Sequence, residues 1–214
     1  VVDRQLDLAI SSFAPEAETV WDKELHTAVG LANFIPGYNG PVPEQNPLGP
    51  SRKITICYKC RGIGHHGESE TPQICPECGV SGEEFSSISL CEPSGFRSAW
   101  ASEDYTGGAK RGRRSSTPFL QPDTTQMETV EIGQITAYSG SCDLYTINDN
   151  NRKLYRFAQT RDRKSWLDVD LWERNDSADK YNRRFSLPDI NSDSAQEVAL
   201  GMVKKSDVLL LGTE

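Results

Sequence analysis

The chain lacks surplus positive charge, long apolar runs and the short motifs that mark most nucleotide and ester chemistry, and each absence removes a class of function. Its 31 acidic residues outnumber 23 basic ones, for a net charge of -8. A protein that coats DNA through phosphate contacts carries the opposite balance, so any nucleic-acid contact has to be local. The longest apolar run, in "DVLLLG" near the end, falls far short of the roughly 20 residues a membrane span needs, and no membrane partner is expected. The opening "VVDRQLDLAI" has no initiator Met, basic n-region or small-residue cleavage site. It predicts a piece of a longer cytoplasmic polypeptide, and the ending "LLLGTE", just past a strand-like run, predicts the same. No G-x-x-x-x-G-K-[ST], G-x-G-x-x-G, G-x-S-x-G or H-E-x-x-H occurs. The chain is therefore not expected to act as an enzyme or to take a small-molecule substrate.

What is present reads mostly as β-structure. At 214 residues the chain is long enough to bury a core without cross-links. "AETVWD" and "LHTAVGLANFI" flank the polar "DKE" as two strands of a hairpin. Residues 36–50 hold five of the twelve prolines and predict a loop or linker. "RKITICYKC" predicts a strand running into a cysteine pair, and "FSSISLCEPSGFR" resumes β-structure after the cysteines. "METVEIGQITAYSG", "SCDLYTINDNN" and "RKLYRFAQT" alternate apolar and polar residues between Asn, Asp and Gly, as in an antiparallel meander. "AQEVALGMVKKSDVLLLG" predicts two more strands, and the one fair helix spans about residues 3–12. The fold class expected is mainly β (α+β), with antiparallel strands forming one core.

The densest chemistry lies in "CYKCRGIGHHGESETPQICPECG", where Cys57-x-x-Cys60 and Cys75-x-x-Cys78 are separated by fourteen residues. A tight turn within each pair aims two thiolates at one ion, and two such knuckles complete a tetrahedron, the pattern of a structural zinc ribbon. The proline in "CPEC" and the glycine after it favour a rigid entry and a positive-φ exit. Disulfides do not fit a chain without an export signal. A redox pair needs one C-x-x-C at a helix N-terminus, and a catalytic zinc needs a position open to water. The expected cofactor is one structural Zn2+ held by Cys57, Cys60, Cys75 and Cys78.

His65 and His66, between the knuckles, read as loop residues beside four better ligands. Cys91 and Cys142 read as small buried hydrophobes. Asp168, Asp170 and Glu173 offer the carboxylates of a metal-dependent nuclease, against which stands the ordinary role of acids as a solvated face. The dense positive charge is Lys110, Arg111, Arg113 and Arg114 in "GGAKRGRRSSTP". These are the candidate nucleic-acid-binding residues, and the competing reading is a solvated loop. Phe96, Trp100 and Tyr105 precede them, suited equally to stacking on bases and to core packing.

"DLAISSFAPEAETVWDKELHTAVGLAN", the "CYKC...CPECG" unit, "EPSGFR" and "GMVKKSDVLLL" stand in one order from Gln5 to about Leu211. In that order the chain resembles the domain of unknown function on the C-terminal side of many bacterial superfamily-two DEAD/DEAH-box helicases, found also in a partner protein of the DISARM phage-defence system. Phe13-Ala14-Pro15 and the "S-D-V-L-L-L" ending are the specific parts, and Glu16 stands where a glycine usually follows, which predicts a different turn. The resemblance implies an accessory module without its own motor, serving DNA repair or anti-phage defence, with DNA and a helicase motor in cis or in trans as partners. The alternative is a protein-docking scaffold that touches no nucleic acid. The expected organisation is a β core from residues 1–50 and 85–214 with an inserted zinc ribbon at 51–84.

Overall fold

The computed structural model describes residues 4–65, 72–105, 119–123, 127–179 and 182–213. The fold is mainly β, and among these residues thirteen strands form one large sheet. Helix α1 (Leu6–Ser12) buries Ala9 and Ile10 and stops at Phe13, two residues before Pro15. Strands β1 (Glu18–Trp21) and β2 (Glu24–Leu31) form the expected hairpin. Its two turn residues, Asp22 and Lys23, both take positive φ, matching the right-handed twist of the strands. Glu16 also sits in the left-handed region at φ 73, with its N–H on the Ala28 carbonyl at 2.8 Å.

The proline-rich stretch is not a plain linker. It folds as a separate hairpin, β3 (Phe34–Gly37) with β4 (Gly40–Pro43). A two-stranded ribbon has only one ladder, so Pro36, Pro41 and Pro43 forfeit few donors there. Strands β5 (Ser51–Cys57), β6 (Ile63–His65) and β7 (Phe85–Cys91) come next, with β5 between the other two. Short β8 (Phe96–Ser98) and β9 (Glu103–Asp104) return to β2.

In the second half, β10 (Phe119–Pro122) and β11 (Glu128–Ile132) line one edge of β12 (Ile135–Asn148). The expected meander is only partly formed. "ITAYSG" and "SCDLYTIN" are one strand, because β15 (Gln196–Thr213) pairs with it continuously from Ile135↔Thr213 to Asn148↔Leu200. The final segment is likewise one strand and not two. Its polar "KKSD" lies opposite residues 141–144, with Lys204, Lys205 and Asp207 exposed while Cys142, opposite Ser206, stays buried. Strand β13 (Tyr155–Gln159) does not join β12; it pairs with β15 and with β14 (Trp166–Asp168), which in turn reaches β2. Helix α2 (Val169–Ser177), absent from the expectations, follows β14.

Residues on either side of the cysteine segment meet in one cluster, where Ile10, Leu31 and Leu48 pack with Cys91, Tyr155, Phe157, Val198 and Leu200. A second cluster joins Ile54, Ile56, Ile88 and Leu90 to Tyr145 and Ile147, so β5 belongs to the sheet's core although the cysteines begin at its end. A third lies under α2 and contains Val29, Ala158, Leu167 and Val169. Among the described residues no helix is long and apolar enough to cross a membrane.

Candidate metal centre

Strand β5 is buried over its last four residues and delivers Cys57 at its end, opposite Phe85 of β7. The chain turns back through Cys60 and Arg61, and the Cys57 amide bonds the Gly62 carbonyl at 3.0 Å. The second knuckle closes in the same way, with Cys75 N–H on the Val80 carbonyl at 2.8 Å and Gly79 N–H on the Cys75 carbonyl at 2.9 Å. In each knuckle the residue after the second cysteine is left-handed, Arg61 at φ 62 and Gly79 at φ 68. Glycine announced this turn at the second knuckle. At the first the geometry is the same without it.

The turns bring Cys57, Cys60, Cys75 and Cys78 together, with all four Sγ atoms within 4.8 Å of one another. Cys57 to Cys78 is 3.5 Å and Cys60 to Cys75 is 3.6 Å. Zinc–thiolate bonds of about 2.3 Å span a tetrahedron with edges of about 3.8 Å, so the cluster has the size of a zinc site. Four thiolates close the tetrahedron and leave no position for water. Burial opposes ionisation of Cys57, yet donation from the Cys60 amide and the neighbouring thiols outweighs it and brings that thiol down to about 7. The neighbouring Cys60 shifts the other way, with burial pushing its thiol up, so the four thiols do not ionise alike. Phe85 packs on Cys57 and Cys75, with Cys78 and Val80 at the margin, tying the cluster to the start of β7.

The first knuckle is also tied to the turn between β12 and β13. Tyr58 donates to Asp149 at 2.9 Å, and the Arg152 guanidinium lies 4.2 Å over the Tyr58 ring. Arg152 further pairs with Glu84 at 3.2 Å. The turn is left-handed at Asn150, Asn151, Arg152 and Leu154, an uncommon run for residues other than glycine. Comparisons with protein-family models, curated proteins and solved structures return no match.

Among the described residues the four cysteines are the one group of three or more His, Cys, Asp or Glu placed to share an ion. Asp168, Asp170 and Glu173 do not form a cage. Asp168 caps α2 by accepting from Leu171 N–H at 2.9 Å, and Asp170 and Glu173, one turn apart on α2, reach Arg156 at 2.8 and 3.8 Å. The expected strand alternation is replaced by a helix in which the acids flank a guanidinium. Cys91 and Cys142 are buried, and burial pushes both thiols up. His65 pairs with Ile54 through the backbone of β6, while His66 lies outside the described residues. Lys110, Arg111, Arg113 and Arg114 lie outside them as well. Of the aromatics before that segment, Trp100 is 94% exposed and Tyr105 44%, whereas Phe96 packs against the first core cluster. Sequence reasoning missed Tyr58, Asp149 and Arg152. The only hints were an aromatic inside the knuckle and the Asn-rich run, which reads as simple punctuation.

Proposed function

We propose that this chain is a zinc-containing accessory domain of a helicase-related protein, handling nucleic acid for a motor that serves DNA repair or anti-phage defence. The observation that carries the zinc is the closed set of four thiols at tetrahedral spacing on the end of β5. Such a site folds the protein and performs no chemistry. The helicase context rests on the ordered segments from Phe13-Ala14-Pro15 to the β15 ending. Nucleic-acid contact is supported by the basic tetrad, Lys110, Arg111, Arg113 and Arg114, five residues after exposed Tyr105 and ten after exposed Trp100.

Binding of single-stranded and forked DNA by the zinc-loaded chain, measured against salt, tests the reading. Replacing the four basic residues by Ala should flatten log affinity against log salt by about three units for a single strand. It should weaken unrelated sequences alike, since phosphates carry no sequence. An unchanged slope would remove the tetrad from the interface.

The scaffold reading has one observation of its own. Register places Val130, Ile135, Leu209 and Leu211 on one face of the β11–β12–β15 ribbon, all 43% or more exposed. A protein partner covering that face, with no DNA shift at any salt, would favour it.

A further inference from the structure

At Leu200, strand β15 has Asn148 of β12 on one side and Cys91 of β7 on the other. Strand β12 stays alongside to Thr213 whereas β7 ends at that pair, so from Gly201 to Gly212 the far edge of β15 carries no strand among the described residues. Such an edge is a row of backbone donors and acceptors open to another chain. Its odd-numbered side chains, Val203, Lys205, Asp207, Leu209 and Leu211, share one face. Val203 packs against the second core cluster, while Leu209 and Leu211 continue the same face in solvent, at 65% and 70% exposure. Lysines usually blunt an open edge, and Lys204 and Lys205 stand on this one. Asp207 changes their effect. It is exposed, lies two residues from Lys205 on the same face and has no ion pair among the described residues, while Lys205 reaches Asp143 of β12 at 3.5 Å.

We propose that β15 pairs with β15 of a second copy of this chain, antiparallel about a two-fold axis at Ser206, so that the two ribbons become one sheet. A two-fold axis normal to a sheet reverses the strand and keeps its faces, so residues equally spaced about Ser206 meet. Lys205 of each copy then stands opposite Asp207 of the other, and Leu209 stands opposite Val203. Neighbouring registers fail. Centred on Lys204, Lys205 or Asp207 the strand sets a charge against itself, and centred on Val208 it sets Asp207 against Leu209. Leu209 beside Val203 of the other copy extends the second core cluster across the axis, giving an exposed leucine the burial it lacks in one copy. This assembly does not depend on nucleic-acid contact, and it leaves Val130 of β11, two strands from the axis, uncovered.

Sedimentation equilibrium of the zinc-loaded full chain should show monomer and dimer exchanging over about 1–200 μM, and a wild type that stays monomeric throughout overturns the proposal. Asp207→Lys, a surface change, sets like charges opposite at both pairs and should weaken association about tenfold or more. A mixture of Lys204→Cys and Val208→Cys chains should form a disulfide-linked dimer on mild oxidation, because those positions face each other with Cα atoms about 5 Å apart, within a disulfide's span. Neither variant alone should do so, since like positions are offset by about 13 Å along the strand. Either variant linking to itself as readily as to the other would show a different register and overturn the proposal. Val130→Ser should associate as the wild type does; if it abolishes the dimer while Asp207→Lys does not, the copies meet through the apolar face and the β15 edge is discarded.

Discussion

Asn148, 1% exposed, fastens α1 to the end of β12. Its amide donates to the Ile10 carbonyl at 2.6 Å, and its oxygen accepts from Tyr155 hydroxyl at 3.1 Å and Asn150 N–H at 3.2 Å. Asn148→Ala strands these buried groups and should cost about 2–4 kcal/mol in urea unfolding. Loss below about 1 kcal/mol would mean that the network re-forms without it. Asp168 is a second informative residue, because burial, with Asp170 nearby, pushes its carboxyl from 3.8 up to about 7, against the pull of Leu171 N–H and Arg156. Below the unfolded value the group is protonated in both states and the contribution is full. As pH rises the unfolded chain ionises first, so stability is lost up to about pH 7, by at most about 4 kcal/mol. Asp168→Asn keeps a cap for α2 and should flatten most of that fall, making the variant the more stable at pH 8. Parallel pH profiles of the two chains would contradict this.

At the scale of elements, the knuckles form one unit with the sheet. One zinc per chain should be found by metal analysis, and none or more than one would refute the site. Chelation or Cys75→Ser should lose structure around Phe85 and the start of β7, since metal binding and local folding are one free energy. Amide exchange along β5 and β7 measures it. The Tyr58–Asp149 bond should carry part of that loss into the Asn-rich turn, so Tyr58→Phe should leave the turn's exchange less sensitive to chelation. The four-cysteine cluster was legible because a C-x-x-C pair is a local geometric device. Helix α2 was not, because "WLDVDLW" alternates like a strand and its helicity depends on the Asp168 cap and on packing of Val169 and Leu171 against Val29 and Leu167.

Across the whole molecule, two glycines mark where distant segments touch. A Cβ at Gly30 would strike the Trp166 carbonyl and come within 2.9 Å of Leu167 Cα, both backbone atoms of β14. Gly30→Ala must therefore separate β2 from β14 and should cost about 3 kcal/mol or more. At Gly201 the neighbours are the Leu90 side chain and the Thr146 carbonyl at 3.0 Å, where β15 passes between β7 and β12. Leu90 can yield, so Gly201→Ala should be the milder, at about 1–3 kcal/mol. Thermal melts of both that reverse this order would show that the two seams are ranked wrongly.

The sequence alone determined the β character, the hairpin at Asp22–Lys23, the short N-terminal helix and the clustering of the four cysteines, because period-two alternation, turn chemistry and knuckle spacing are properties of neighbouring residues. Only the tertiary structure decided that β12 and β15 run unbroken through Gly140–Ser141 and "KKSD", since a partner strand supplies the ladder bonds that local polarity argues against. It also decided the parallel pairing of β15 with β7, and the meeting of Trp21 and Phe96 around one open cleft beside β2. Those residues lie some 75 positions apart, and which distant strand closes beside which depends on the burial of whole faces, which no local pattern encodes.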